Sequence, residues 1–152
     1  MAILKLISRN KKASFSYFLE DTFEAGIVLK GSEVKSLREG KVSIEDSHAD
    51  YSNGHIMLFN CHIQEYEKAN QFNHSTRRPR ILLLKKKEIK KIISKIKVKG
   101  YTLVLTSIYF NDRNKVKLAL AIGKGKKLYD KRETLKEKDW ERAQGKVMRG
   151  EK

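Results

Sequence analysis

The chain has 152 residues, of which 39% are hydrophobic, and its 34 Lys and Arg residues against 18 Asp and Glu residues give a net charge of +16. This length suits one compact domain with an appendage and leaves little room for two independent cores. No stretch reaches the roughly 18 to 20 apolar residues of a membrane span, and the segment 1–9 lacks the length and cleavage site of a secretory signal. We therefore expect a cytoplasmic protein that contacts no membrane. The surplus positive charge favours a polyanionic partner, with RNA or DNA first.

The first half of the chain alternates between strand and helix patterns. Period-two alternation over Ser14–Leu29, interrupted by Glu20 and Asp21, predicts a hairpin. A short helix is predicted near 32–39, with Ser32 as its N-cap and Gly40 as its stop. Strand patterns then return over residues 42–51 and 55–63, on either side of the hairpin signal Asn53-Gly54.

The second half begins with a long segment without periodicity at residues 66–80, which contains the only proline. A loop of this length in a compact domain is usually functional or disordered. Isoleucines at helical spacing among lysines predict a helix over residues 82–96. A last hairpin is predicted from strands at 101–110 and 115–122.

This succession predicts a mainly β domain over residues 1–123, with about six short antiparallel strands and two inserted helices. Such a pattern suits a closed or nearly closed six-stranded barrel of the oligonucleotide-binding (OB) type, since a flat sheet would leave two open edges. Residues 124–152 follow as a basic tail, with eleven Lys and Arg residues against six Asp and Glu residues. Tyr129 and Trp140 stand among these charges, which favours a nucleic acid, on whose bases the rings can stack, over a membrane surface.

The sequence gives little support for catalysis or for metal binding. Imidazoles could serve an RNA nuclease as acid and base, but the spacing of the four histidines says little, and only His74 lies in the long basic loop. Cys61 is the single cysteine, so neither a disulfide nor a cysteine-rich zinc site is expected. The glycines at 123 and 125 are too close together for a nucleotide phosphate loop. We expect no catalytic residue, metal, cofactor or small-molecule substrate.

One carboxylate stands out in the strand pattern. Glu24 is followed two positions later by Gly26, a combination that allows close backbone approach beside an acceptor for base N–H groups. An exposed strand glutamate without a ligand remains the simpler interpretation from these residues alone.

Four segments together resemble the SsrA-binding protein family, also called small protein B (SmpB), in order and spacing over roughly residues 8–142. They are Asn10-Lys11-Lys12-Ala13, the run Phe23–Arg38, Leu82-Leu83-Leu84, and Gly125-Lys126-Lys127-Leu128-Tyr129-Asp130-Lys131-Arg132. The resemblance implies an OB-type barrel whose C-terminal tail is disordered when free. It also implies binding of transfer-messenger RNA and its delivery to stalled ribosomes for trans-translation, without catalysis.

The resemblance further implies which residues meet RNA. Direct contacts fall on Asn10, Glu24 and Leu83, the last of which follows Leu82 in the leucine run. The neighbouring residues carried over as RNA or phosphate contacts are Lys11, Lys35, His74, Arg80, Lys124, Lys126 and Lys127. In the tail, the residues expected to reach the small-subunit decoding centre and the empty messenger channel are Tyr129, Asp130, Lys131, Arg132 and Trp140. Tyr129 stands where relatives often have histidine, which keeps a flat ring and loses the titratable group.

Two other interpretations remain open on the sequence. A ribosomal or initiation protein of the same barrel type would have the same composition. A histidine-dependent RNA nuclease is the alternative from the enzyme class, although no catalytic spacing supports it.

Overall fold

In a computed structural model of the protein, residues 3–68 and 73–126 are described. The chain there alternates between strands and three helices. The strands are β1 (Ile3–Arg9), β2 (Tyr17–Ile27), β3 (Val42–Ser43), β4 (His48–Ser52), β5 (His55–Phe59), β6 (His62–Ile63), β7 (Arg80–Leu83), β8 (Tyr101–Asn111) and β9 (Val116–Gly125). The helices are α1 (Lys11–Ser16), α2 (Gly31–Arg38) and α3 (Lys86–Ile96).

Six antiparallel strands close into a ring, in the order β8, β4, β5, β7, β2, β9 and back to β8. Strand β8 is long enough to have two neighbours on one side, because β4 pairs with it at Leu103 and β1 pairs with its second half from Ser107 onward. Strands β3 and β6 form a separate short ribbon. The predicted six-stranded barrel is confirmed, and closure leaves its strands with few open edges.

The barrel is filled by inward side chains from every strand of the ring. Leu118, Leu120 and Ile122 of β9 are fully buried, and Leu103 and Leu105 of β8 lie opposite two of them. Each fully buried side chain of this kind stabilises the fold by about 1.5–3 kcal/mol relative to exposure. Helix α3 adds Ile92 to the same core, with its lysines outside. The inward residues of β9 alternate along the strand with Lys117, Ala119 and Ala121.

The predicted hairpin over Ser14–Leu29 is wrong. Residues 11–16 form helix α1, and Tyr17–Ile27 form a single strand that crosses the supposed turn. The register with β9 shifts by one residue between Glu20 and Thr22, so Asp21 is accommodated in a bulge. A long partner strand pairs on both sides of the bulge, and the polar residues mark an irregularity of the strand and not its end.

The two central strand predictions are each interrupted. Residues 42–51 divide into β3 and β4, and residues 55–63 divide into β5 and β6 at Asn60, whose φ of 59° is left-handed. The β4–β5 hairpin forms at Asn53-Gly54 as predicted, with both residues at positive φ. Such a turn matches the natural twist of the two strands.

The helix predicted near 32–39 is α2, and Gly40 ends it with a φ of +73°. The helix predicted over 82–96 begins only at Lys86. Leu82 instead belongs to β7, where it pairs with Ile27 of β2 and Ile56 of β5. Two neighbouring strands offer backbone hydrogen bonds on both sides, which outweighs the weak helical preference of a leucine run.

The N-terminal strand β1 and helix α1 were not anticipated by the sequence analysis. At the other end, β9 continues to Gly125, two residues past the predicted domain boundary at 123. The tail from residue 127 onward lies outside the described residues, so its separation from the barrel remains a prediction.

Candidate nucleic-acid interface

A narrow surface lies where β2, β7 and β9 meet the start of α3. We call it the Leu83 strip; its residues are Glu24, Gly26, Leu83, Leu84, Lys85, Glu88 and Lys117. A second shallow depression adjoins it on the other side of Leu83 and Gly26. The strip combines an exposed leucine, carboxylates and ammonium groups on adjacent strands.

Leu83 and Gly26 are direct register partners across β7 and β2. The Leu83 side chain is 56% exposed although it ends a strand of the barrel. A Cβ atom at position 26 would lie 3.3 Å from the Leu83 Cβ, which is tighter than ordinary packing. Gly26 therefore leaves room for the close approach of Leu83, which a side chain at position 26 would crowd.

Glu24 is held in position by a buried side chain of β8. The buried Tyr109 hydroxyl donates to Glu24 Oε2 over 2.5 Å. Burial raises the pKa of Tyr109, and the hydrogen bond to Glu24 raises it further, so the phenol keeps its proton. The half-buried carboxylate thus points out of the barrel from a rigid support, with acceptor capacity left for a ligand.

Two residues of the strip are lysines. Lys117 is the register partner of Gly26, and its Nζ lies 3.6 Å from the position of a Cβ at residue 26. Lys85 lies at the start of α3, beside Leu84. Neither Lys85 nor Lys117 is among the RNA contacts predicted from the sequence. Lys35 is exposed on α2, with its Nζ 5.5 Å from the ring centre of Tyr66.

Arg80 is fully buried at the start of β7. Its Nε donates to Glu33 Oε2 over 2.5 Å, and its terminal nitrogens donate to the carbonyl oxygens of Cys61 and Thr76. Arg78 binds the other oxygen of the same carboxylate. A phosphate does not reach Arg80 in this arrangement. Its contact with RNA stays a prediction, while the geometry gives the guanidinium a structural role.

His74 is also buried, with 2% of its surface exposed. Its Nε2 lies 2.9 Å from the carbonyl oxygen of Ile63, and its Nδ1 lies 2.8 Å from the Ser32 hydroxyl. Because a carbonyl only accepts, Nε2 carries the proton and the hydroxyl donates to Nδ1. Both ring nitrogens are used to hold the loop against α2, so the RNA contact predicted for His74 is not supported by its position.

Asn10 caps helix α1 and joins it to β8. Its side-chain oxygen accepts from the Lys12 backbone N–H, and its Nδ2 donates to the carbonyl oxygen of Leu105 over 3.0 Å. Only 8% of the residue is exposed. Lys11 lies exposed beside it. The Asn10 backbone N–H donates to the carbonyl oxygen of Thr106, next to the residue of β8 that pairs with Ala119, the register partner of Glu24.

Lys124 lies near the end of β9, and Lys126 is the first residue after this strand. The Lys124 Nζ lies 5.9 Å from the ring centre of Tyr101, and the Lys126 Nζ lies 4.9 Å from that of Phe18. The remaining predicted contacts lie outside the described residues. They are Lys127, Tyr129, Asp130, Lys131, Arg132 and Trp140.

Within residues 3–68 and 73–126, no group of three or more His, Cys, Asp or Glu side chains is arranged to hold a metal ion. The described helices include none that is long and apolar enough to cross a membrane. Burial raises the pKa of the Cys61 thiol to about 11. This cysteine is therefore a packing residue and not a reactive one.

A closed six-stranded barrel with basic and apolar groups on its outer face defines the OB-type class of small β-barrel proteins. Comparison with known proteins gives the particular family. The model of the family described as SmpB protein matches residues 7–150. The chain belongs to the SmpB family.

Individual relatives cover nearly the whole chain. The SsrA-binding protein of Rickettsia bellii (strain OSU 85-389) is 64% identical over 149 residues, which are 98% of this chain and 99% of that protein. The SsrA-binding protein of Rickettsia felis is 66% identical over 145 residues, or 95% of each chain. A chain in a solved structure described as "tmRNA-SmpB: a journey to the center of the bacterial ribosome" is 41% identical, with a TM-score of 0.67 over 89% of this chain and 95% of that one.

Proposed function

We propose that this protein binds transfer-messenger RNA and delivers it to stalled ribosomes for trans-translation. The proposal rests on the match to SsrA-binding proteins over almost the full length of the chain. It is supported by the barrel surface, where Leu83 and Glu24 lie in one strip. The mechanism is binding without catalysis. Shape and phosphate contacts supply most of the affinity for the transfer-like part of the RNA.

The Leu83 strip suits a folded RNA better than a plain basic surface would. The exposed leucine offers an apolar platform for an unstacked base, and the Glu24 carboxylate accepts from base N–H groups. Lys117 and Lys85 lie close enough to neutralise phosphates beside that base. The strip thus combines shape, base and backbone contacts on three neighbouring elements.

The second half of the mechanism rests on the C-terminal tail. We propose that residues 128–152, with Tyr129, Asp130, Lys131, Arg132 and Trp140, enter the decoding region and the empty messenger channel. Ordering such a segment costs about 1–2 kcal/mol per residue in backbone entropy. Many phosphate contacts are needed to offset that cost, and a ribosomal channel provides them.

A gel-shift titration with transfer-messenger RNA tests the assignment of the strip. Leu83→Asp is expected to weaken binding by about 1–3 kcal/mol, through loss of the apolar platform and repulsion of phosphates. Val98→Asp is the matched control, since Val98 is similarly exposed at 53% and follows the far end of α3. Equal losses in the two variants would show only a general charge effect and would remove the strip from the proposal.

Glu24→Gln separates a specific contact from simple electrostatics. Glutamine can still accept from Tyr109, so the barrel is retained. If the carboxylate binds base N–H groups, affinity falls. If it only repels phosphates, affinity rises, and the role proposed for Glu24 is wrong. Thermal unfolding of each variant shows whether the barrel is intact.

A further inference from the structure

The carboxylate of the Leu83 strip is oriented by a residue that lies two strands away. Tyr109 is on β8 and Glu24 is on β2, with β9 between them. The Tyr109 side chain therefore crosses β9, where the register partner of Glu24 is the small residue Ala119. A carboxylate has about four acceptor positions, and the bond from Tyr109 to Oε2 uses one of them. Both oxygens keep a position for a further donor.

Two oxygens side by side favour a particular base edge. A carboxylate binds most strongly to two parallel N–H groups, one on each oxygen. Among the RNA bases, guanine alone has two neighbouring N–H donors on one edge, at N1 and at the N2 amino group. Adenine and cytosine have an acceptor nitrogen beside the amino group, and uracil has a carbonyl on either side of its N–H. Glu24 thus fits guanine and repels a lone pair of each other base.

A lysine lies where the same edge of guanine has its acceptor. Lys117 is the register partner of Gly26, and Ala119 is that of Glu24, so Lys117 and Glu24 are diagonal neighbours on adjacent strands. Such neighbours are about 7–8 Å apart. Among the ion pairs of residues 3–68 and 73–126, none joins Lys117 to a carboxylate. Its ammonium can therefore donate to guanine O6 while Glu24 accepts from N1 and N2.

An apolar side chain completes this part of the surface. Leu83 is 56% exposed and lines the strip together with Glu24 and Lys117. A base that lies on the leucine brings its edge to the two charged groups. In a duplex this edge is already hydrogen-bonded to the opposite base, so the ligand is an unpaired base.

We propose that the Leu83 strip selects an unpaired guanine of the bound RNA, with Glu24 and Lys117 binding its Watson–Crick edge and Tyr109 as the positioning residue for Glu24. The inference rests on the proposed function. It adds the identity of the base and the residue that orients the carboxylate. Loss of the Tyr109 hydroxyl leaves the charge of Glu24 in place and removes only its fixed orientation.

The test uses the full-length protein and transfer-messenger RNA that is transcribed with a small fraction of phosphorothioate-tagged inosine in place of guanosine. Inosine keeps N1–H and O6 but lacks the N2 amino group. Bound and free RNA are separated on a native gel and cleaved with iodine, which identifies each position where inosine weakens binding. The parent protein is expected to show such a position at an unpaired guanosine. RNA with inosine at that position alone is expected to bind about 10- to 150-fold more weakly.

Glu24→Gln tests which base is selected. Its amide accepts with the oxygen and donates with the nitrogen, a pattern that matches adenine and not guanine. The variant is expected to lose the inosine effect at that position and to bind RNA with adenosine there better than RNA with guanosine. Glu88→Gln is the matched control, because Glu88 lines the same strip but its Oε1 accepts from the Lys85 backbone N–H. It is expected to keep the pattern of the parent protein.

Tyr109→Phe tests the positioning role. The variant keeps the ring, and the ratio of its affinities for guanosine and inosine RNA is expected to move towards one. A merely structural role would weaken the binding of both RNAs equally and leave this ratio unchanged. Tyr51→Phe is the control, since it removes the hydroxyl of a tyrosine that is 45% exposed on β4.

The inference is overturned if no unpaired guanosine shows an inosine effect, or if the effect is the same in the parent and in Glu24→Gln. An unchanged ratio in Tyr109→Phe would remove the role assigned to this tyrosine. The proposed function stands in each case, because the affinity of the parent for unmodified transfer-messenger RNA is measured on the same gels. Failure of the parent to bind that RNA would contradict the proposed function and the inference together.

Discussion

Glu33 shows how a residue on a short helix can organise the surface around it. Its fully buried carboxylate binds Arg78 with one oxygen and Arg80 with the other, and it accepts from the Lys30 backbone N–H over 2.7 Å. These contacts join the start of α2 to the start of β7, two elements that carry the predicted RNA-facing residues Lys35 and Leu83. A buried carboxylate needs all of these partners, because burial without them is costly.

Glu33→Gln is expected to destabilise the protein by about 3–5 kcal/mol, since it leaves the buried Arg80 guanidinium without its counter-charge. Glu45→Gln is the control, because the Glu45–Lys12 pair is exposed and should contribute at most about 1 kcal/mol. Urea unfolding followed by circular dichroism measures both. A loss for Glu33→Gln no larger than that for Glu45→Gln would contradict the role assigned to this ion pair.

The same carboxylate predicts how stability changes with pH. Burial raises the pKa of Glu33, but hydrogen bonds from Arg78, Lys30 and Arg80 outweigh it, so the folded-state pKa lies below the ordinary value of 4.5. The unfolded chain therefore takes up the proton first as the pH falls. The stability that Glu33 contributes is complete well above pH 4.5 and is lost as the pH falls through the lowered folded-state pKa.

Urea unfolding of the parent and of Glu33→Gln between pH 7 and pH 3 measures this dependence. The difference in the free energy of unfolding between the two proteins is expected to be constant near neutrality and to shrink in acid. Taking the difference removes the contribution of the other carboxylates. A difference that stays constant down to pH 3 would show that Glu33 is not stabilised as a carboxylate.

At the scale of elements, strands β2, β9 and β8 lie side by side in the wall of the barrel. The three strands approach closely at Gly123, which is buried. A Cβ at this position would lie 2.8 Å from Val104 Cγ2 and 3.0 Å from Tyr17 Cβ. The absence of a side chain at residue 123 thus lets β9 lie between two bulky neighbours. Gly125, two residues further on, has open space where its Cβ would be.

Gly123→Ala is expected to destabilise the barrel by about 1–3 kcal/mol, because Val104 and Tyr17 must move apart in a well-packed region. Gly125→Ala, on the same strand, should be neutral or slightly stabilising. Thermal melts of the two variants decide between these expectations. Equal melting temperatures would mean that the three strands adjust to a methyl group without strain.

At the scale of the whole molecule, the ring of strands closes within the described residues, before position 128. The last pairings of β9 are those of Lys124 with Phe18 and Tyr101, and of Gly125 with Tyr17. A barrel of this kind does not require residues 128–152 for closure. The predicted division into a binding barrel and a ribosome-directed tail is therefore compatible with the hydrogen-bonded structure of the described residues.

Truncation after Lys127 is expected to leave the affinity for transfer-messenger RNA nearly unchanged and to abolish peptide tagging on a message without a stop codon. The reason is that the Leu83 strip remains intact while every proposed ribosome contact from Tyr129 onward is lost. RNA affinity and tagging are measured side by side. A truncated protein that also fails to bind the RNA would place the tail in the primary RNA site and contradict the two-part mechanism.

The sequence by itself determined the barrel class, the β4–β5 and β8–β9 hairpins, helix α2 and the family. These features depend on local patterns: alternation along β9, the Asn53-Gly54 turn, Gly40 after a short helix, and motifs in a characteristic order. The alternation, the turn and the glycine stop can each be read within a short window of residues, and the barrel class and the family follow from the order of such patterns along the chain. They needed no knowledge of distant contacts.

The tertiary structure alone determined where hydrogen bonding to neighbouring strands outweighs the local preference of a segment for another secondary structure. Leu82 is a strand residue because β2 and β5 pair with it on both sides. Asp21 lies in a bulge because β9 pairs with β2 on both sides of it. It also decided which polar residues are buried. Arg80 and His74 resemble surface residues of a basic loop, but Glu33, Ser32 and Ile63 bind them inside, since a buried polar group is stable only where distant parts of the chain supply its partners.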